Sequence, residues 1–340
     1  MRSVVPSLAS LLVLFSTGAS NAQSTVSTPI VGFQKFSVPT GLSTAGFPLL
    51  NPDLLKASAS SVSSNAVTLA GESNVGAKLS AGEPYYIEVY SGALKGDRFD
   101  VNTAATIAAA NGTVILDGSS ANNTLAVAAI AAQLDGATVA LRKHITLEQV
   151  QGMSSSPLVG NNSAAAADQI QLYDTAAGAY VGYFLRADGV TWRKVGTVAA
   201  ANKTPIPPGT GVFISKQGSP VELTSAGTVR QNDFAIPYVA GLQLKAPAYP
   251  LDITPAGIGA TGANGWVGNN SATVADQIQV YNPTAGAYDG YFLRADGTTW
   301  RKVGTVTTVT TSTLASSSQA YFVSRNSANA DSILVNPITP

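Results

Sequence analysis

One stretch of this 340-residue chain occurs twice. Val159 to Val198 aligns without a gap onto Val267 to Val306, and 32 of the 40 positions are identical. The shared core reads Val-Gly-Asn-Asn-Ser, Ala-Asp-Gln-Ile-Gln, Gly-Tyr-Phe-Leu-Arg-Ala-Asp-Gly and Thr-Trp-Arg-Lys-Val-Gly-Thr-Val. Weaker similarity pairs Ile145-Thr146 with Ile253-Thr254. Further on, Gly211 to Ser215 matches Ala320 to Ser324 once one residue is inserted. A repeat this close limits the fold, because each copy must be the same supersecondary unit. A one-residue slip of a strand would also turn every side chain to the opposite face.

Each copy reads as β. Gln169 to Tyr173 alternates polar and apolar residues, and Tyr180 to Ala187 and Val190 to Val195 flank Asp188-Gly189, a type I′ hairpin signal. Pro207-Pro208-Gly209 precedes a fourth strand at Val212 to Ser215. Such a meander needs a second layer to bury its apolar face. Upstream, strands are expected at Tyr85 to Tyr90, Arg98 to Val101, Thr113 to Leu116 and Ala137 to Arg142, with a short helix in Thr124 to Leu134. A faint echo sets Phe36-Ser37-Val38-Pro39 and Phe47-Pro48-Leu49 beside Phe234-Ala235-Ile236-Pro237 and Tyr249-Pro250-Leu251. The expected fold is all-β: an N-terminal barrel- or sandwich-like domain over residues 23–143, then two tandem meander or sandwich repeats over 144–252 and 253–340.

Composition excludes several classes. With no cysteine, thiolate zinc sites, iron–sulfur clusters and disulfide scaffolds are ruled out. Charged residues are 11% and balanced at 19 of each sign, so no counterion-releasing surface for nucleic acid is expected. Residues 1–22 read as a signal peptide: Arg2 supplies charge, Val4 to Phe15 is mostly apolar, and Ser20-Asn21-Ala22 offers small residues for cleavage. The apolar run is too short for a transmembrane anchor. Export to the extracellular space or cell surface is therefore expected.

Three stretches carry a resemblance: Val26-Ser27-Thr28-Pro29-Ile30-Val31-Gly32-Phe33, Tyr85 to Leu94, and Leu141-Arg142-Lys143-His144-Ile145-Thr146-Leu147. With the later Ala-Asp-Gln-Ile, tryptophan and Pro-Gly-Thr-Gly-Val-Phe-Ile elements, the chain resembles a family of secreted β-rich proteins of verrucomicrobial bacteria. The resemblance implies a surface location and β architecture. It assigns no activity to any residue.

Motifs for chemistry are sparse. His144 is the sole imidazole, no Gly-x-Ser-x-Gly elbow accompanies it, and the second copy lacks a matching histidine. No calcium or phosphate loop is present. The recurring acids Asp168/Asp276 and Asp188/Asp296 sit where turns need them. No catalytic residue, metal or cofactor is expected. Contact residues are sought among the aromatics and cations instead. Hairpin pairing would place Tyr183, Leu185 and Trp192 on one face and Phe184, Arg186 and Arg193 on the other. The second copy repeats this with Tyr291, Leu293 and Trp300 against Phe292, Arg294 and Arg301. The first set reads as core and the second as a candidate contact face. Trp266, whose counterpart is Leu158, is the further candidate for an exposed contact. The expectation is a non-catalytic secreted surface or extracellular-matrix protein, structural or adhesive, contacting surface proteins, itself or glycans. The alternative is a carbohydrate-binding module using aromatic platforms.

Overall fold

The computed structural model describes residues 29–174, 178–282, 285–326 and 330–334. The expected signal peptide lies outside the described residues. The chain is all-β, with three short α-helices among the described residues. In order it runs β1 (Val31–Val38), β2 (Gly41–Ala45), β3 (Asp53–Ser63), β4 (Ala66–Leu69), β5 (Tyr85–Val89), β6 (Arg98–Val101), α1 (Thr103–Ala109), β7 (Thr113–Ile115), α2 (Ala131–Leu134) and β8 (Thr138–Lys143). It continues through β9 (Ile145–Thr146), α3 (Leu147–Gly152), β10 (Gln169–Asp174), β11 (Ala179–Leu185), β12 (Trp192–Lys194), β13 (Pro205–Ile206), β14 (Val212–Lys216) and β15 (Val221–Thr228). The last elements are β16 (Phe234–Tyr238), β17 (Gly241–Lys245), β18 (Gln277–Asn282), β19 (Ala287–Leu293), β20 (Trp300–Lys302), β21 (Tyr321–Arg325) and β22 (Ala330–Leu334). Among the described residues no helix is long and apolar enough to cross a membrane.

β3 to β8 form a six-stranded antiparallel sheet in the order β6-β5-β8-β3-β4-β7. The sheet curls until its edges meet. Val101 bridges Leu116, and the Asp117 N–H donates to the Asp100 carbonyl at 2.8 Å. The eleven-residue β3 carries this curvature, pairing with β8 at one end and β4 at the other, with register shifts in both ladders. Alternation sends Ile87, Phe99, Val114, Val139 and Leu141 into a shared apolar interior. The same alternation puts Tyr86, Glu88, Arg98 and Arg142 on the outer wall, yet all four are buried. The rest of the chain packs over them.

That remainder is two five-stranded sheets, β12-β11-β10-β14-β2 and β17-β21-β18-β19-β20. They match strand for strand. Gln169 faces Phe184 and Ser215, as Gln277 faces Phe292 and Ser324. Each sheet recruits a strand distant in sequence: Gly41 stands opposite Lys216 in the first, and Gly241 opposite Arg325 in the second. A two-stranded ribbon accompanies each sheet, β1 with β15 and β16 with β22. Val38, Val221 and Leu223 close one core over Ile170, Leu185 and Trp192, while Phe234, Ile236 and Tyr238 close the other over Ile278, Leu293 and Trp300. Residues 31–45 thus pair with the first copy rather than with the six-stranded sheet. The faint echo also shifts by two residues, since Val38 and Tyr238 hold equivalent places opposite Val221 and Ala330. A shift of two keeps every side chain on its own face.

The two sheets meet in a pseudo-two-fold arrangement. The Gly46 N–H donates to the Ser318 carbonyl at 2.8 Å, and the equivalent Ala246 N–H donates to the Gly209 carbonyl at 2.9 Å. Across the axis Phe213 meets Phe322 with centroids 5.9 Å apart. Tyr180 flanks the first ring at 5.0 Å and Tyr288 the second at 5.4 Å. Such tilted and edge-on contacts suit the quadrupoles of the rings. Close approach requires Gly211, where a Cβ would stand 2.7 Å from Ala320 Cβ and Leu244 Cγ.

Both sheets are tied to the outer wall of the six-stranded unit through one carboxylate. Glu88 on β5 is fully buried and pairs with Arg142 Nε at 3.3 Å and with Arg230 Nη1. Arg142 also donates to the Asn51 carbonyl (2.8 Å), Thr228 Oγ1 (3.2 Å) and Tyr90 Oη (2.7 Å). Arg230 reaches the Ala248 carbonyl at 3.3 Å. Its guanidinium and that of Arg98 each lie 4.0 Å from the centre of the Phe234 ring. Removing one partner of a buried charge group costs about 3–5 kcal/mol, because the other charges stay uncompensated. Glu88→Gln should accordingly lower stability in urea unfolding by about that amount, whereas exchange of the exposed Glu222 should change it by less than about 0.5 kcal/mol.

Candidate functional site

His144 is held structurally. Its Nε2 lies 2.8 Å from Asp100 Oδ1, its ring sits tilted against Tyr86 with centroids 4.5 Å apart, and it is 2% exposed. Burial opposes ionisation of Asp100, but hydrogen bonds from His144, Ser120 and Asn122 hold its carboxyl below the usual range. Among the described residues no group of three or more His, Asp or Glu side chains could hold a metal.

The recurring acids are also committed to the fold. Asp168 accepts from the Val159 and Gln217 N–H groups (2.8 and 2.6 Å) and pairs with Lys216 at 3.0 Å. Asp276 accepts from Val267 and Asn326 (2.8 and 2.7 Å) and pairs with Arg325 at 2.9 Å. All four side chains of these pairs are buried. In the hairpins, Asp188 Oδ1 accepts from the Val190 and Thr191 N–H groups, and Asp296 Oδ1 does the same for Thr299 and Thr298. These bonds hold both carboxyls down to about 2. The expected type I′ turn is not formed. It needs positive φ at both central residues, and among the described residues only Ser64 and Ala110 combine positive φ with a side chain. Asp188 satisfies the turn's N–H groups from an ordinary backbone, and the Gly189 N–H closes onto the Arg186 carbonyl at 2.9 Å.

Strand pairing still follows the expected register, with Leu185 opposite Trp192 and Phe184 opposite Arg193. Leu293 likewise faces Trp300, and Phe292 faces Arg301. Trp192 and Trp300 are fully buried, their indole N–H groups donating to Gln151 Oε1 (2.9 Å) and the Ala260 carbonyl (2.7 Å). The proposed contact face is not an open platform. Phe184 and Phe292 are 8% and 6% exposed, and Arg186, Arg193, Arg294 and Arg301 are half-buried around them. Arg186 Nε is engaged by Asn162 Oδ1 at 2.9 Å.

Trp266 corrects the expectation of an exposed contact: it is 3% exposed. Its ring sits edge-on to Trp300 at 5.6 Å and to Tyr238 at 5.2 Å, with the Arg325 guanidinium 4.8 Å from its centre. The reason is a coordinated exchange. Where the first copy has Leu158 and Lys216, the second has Trp266 and Arg325, so a larger ring comes with a planar cation that stacks on it. Acrylamide should therefore quench all three tryptophans only weakly in variants that each retain one. Trp192→Ala should cost about 3–5 kcal/mol in urea unfolding.

A wide concavity lies elsewhere. A groove of about 610 Å³ opens where the 121–125 turn of the six-stranded unit, β10 and β11 of the first sheet, β17 of the second and its companion strand β16 converge. This is within the roughly 300–1,000 Å³ of small-molecule sites. Leu172, Val181, Ile236 and Leu244 give it apolar surface, and Tyr173 and Tyr183 present rings. Its cations are Arg98, whose Nη1 bonds the Ala235 carbonyl at 2.8 Å, and Lys245, whose Nζ bonds the Pro237 carbonyl at 2.7 Å. Asp174 is the carboxylate on its wall. Burial, followed by repulsion from Arg98, pulls the Lys245 ammonium down to about 8. Sequence reasoning had marked Tyr183 only as core and had missed the rest. The lining is scattered from Arg98 to Lys245 with no motif to join it.

Searches of family models, of curated proteins and of solved structures returned no match to this chain.

The lysine has a measurable consequence. Its folded pKa is lowered, so the folded state binds fewer protons than the unfolded chain between about pH 8 and 10.5, and stability contributed by this group rises across that window. Below pH 8 the buried charge is a cost of at most about 3 kcal/mol, less where groove water screens it. Lys245→Met should thus be more stable than the native chain at pH 7. That advantage should shrink as pH is raised toward 10.5, read as the difference between paired urea unfolding curves.

Proposed function

We propose that the protein is a non-catalytic, exported component of a cell surface or extracellular matrix that acts by contact, in a structural or adhesive role. The observation that carries this reading is the groove at the three-way junction. It offers rings, amides and a cation suited to holding a molecule, while the groups that most resemble catalytic ones are tied into the fold. His144 is clamped by Asp100, and Asp168 and Asp276 each answer a buried cation and two backbone N–H groups. Export rests on the Met1–Ala22 segment, and the low charge content favours contact over repulsion. The reading of two modules made by duplication is supported by the identical registers of the two five-stranded sheets.

Glycan contact is supported at the groove rather than at the hairpins, where covered phenylalanines leave no flat platform for a sugar ring. Retention of the full chain on a panel of immobilised polysaccharides and matrix proteins, with chemical analysis of the eluted ligand, tests the proposal. The expected result is reversible retention with the ligand unchanged. Release of new reducing ends or amines that disappears in His144→Ala or Asp174→Asn would contradict it.

A further inference from the structure

We propose that the groove binds a short acidic oligosaccharide, with a uronate carboxylate on Lys245 and sugar rings against Tyr173 and Tyr183. The inference deepens the contact reading above and rests on it.

Three observations lead there. First, Lys245 is a cation brought into a partly apolar wall. Its Nζ donates to the neutral Pro237 carbonyl, and the Tyr238 ring lies 5.5 Å away. An ammonium can donate three hydrogen bonds, so two remain for an incoming anion. Arg98, anchored on Ala235, adds positive field from the same side.

Second, recognition must come from side chains. The N–H groups of Asn122, Thr124 and Val239 on the groove walls already have internal acceptors: Ser120 Oγ, the Arg98 carbonyl and Gln243 Oε1. These donors are therefore spent for an extended peptide, which binds by adding a strand to a free edge. A sugar needs flat rings and polar side chains, and Tyr173, 43% exposed, supplies the first.

Third, the site breaks the pseudo-symmetry of the two sheets. Tyr173 and Tyr183 have counterparts in Tyr281 and Tyr291, but Lys245 is matched by Ala45 and Asp174 by Asn282. The 121–125 turn belongs to the six-stranded unit and faces the β16–β17 side. The shared half of the groove is aromatic and the unique half is charged. One ligand per chain follows.

Calorimetric titration of the full chain with short oligogalacturonates, neutral cello-oligosaccharides of equal length, and a glutamate peptide tests this. The expected result is one site per chain that prefers the acidic sugar over both competitors. Lys245→Met should weaken it roughly ten- to a hundredfold, the effect of losing a charge-assisted hydrogen bond. Lys245→Arg should restore part of it, with melting temperature and tryptophan shielding checked in each variant. Equal affinity for neutral sugars, or no effect of Lys245→Met, overturns the acidic class while leaving glycan contact standing. Preference for the glutamate peptide overturns the sugar and favours a protein partner. Absence of binding to every probe overturns this proposal, and the wider contact reading then depends on the polysaccharide and matrix-protein panel alone.

Discussion

The arrangement of this chain depends on one buried carboxylate. Glu88 projects from the outer wall of the six-stranded unit and meets two guanidiniums that arrive from different places. Arg142 stands beside it in the same sheet and reaches Asn51 and Thr228, while Arg230 follows β15 and reaches Ala248 near the second sheet. Two cations around one anion would be costly without further acceptors, and these carbonyls and hydroxyls provide them. Ion pairs of this kind add little net stability compared with apolar packing, but they are strict about geometry. Here that strictness sets the relative placement of three units, and the groove exists only where the three converge.

The second constraint is the pseudo-two-fold contact between the five-stranded sheets. A pair of like sheets packed through equivalent residues buries the same surface on each side, as in an isologous dimer. The Phe213–Phe322 contact on the axis and the tyrosines that flank it make the interface aromatic. Gly211 lets the backbones come close enough for those rings to meet. Symmetry alone would give two equivalent clefts. The six-stranded unit and the Lys245/Ala45 difference make them unequal.

Much of the local structure was legible in the sequence. The repeat announced two like sheets, and hairpin spacing placed Leu185 opposite Trp192 and Leu293 opposite Trp300, because period-two alternation and turn position together fix register. What could not be read was long range. Nothing local says that β1 and β2 leave their neighbours to pair with β15 and β14, since any alternating strand has the same appetite for a partner. Nor does the sequence show that the polar positions of β5, β6 and β8 form the buried wall on which both sheets rest. Trp266 misled for a related reason: its unmatched size suggested a contact, whereas the compensating Lys216-to-Arg325 difference lies far along the chain. The groove had no signature of its own, being assembled from turns and strand ends of three units.

The central claim is that Glu88 fixes the geometry of the three units and thereby the groove. The chain has no cysteine, so Ala121→Cys and Val239→Cys on opposite walls would carry spin labels without background. The distribution of distances between them, measured with Glu88 present and with Glu88→Gln, is the direct test. The account predicts one narrow distribution in the first case and a clearly broader one in the second, with the tryptophans still shielded in both. An equally narrow distribution at the same distance in Glu88→Gln would contradict it.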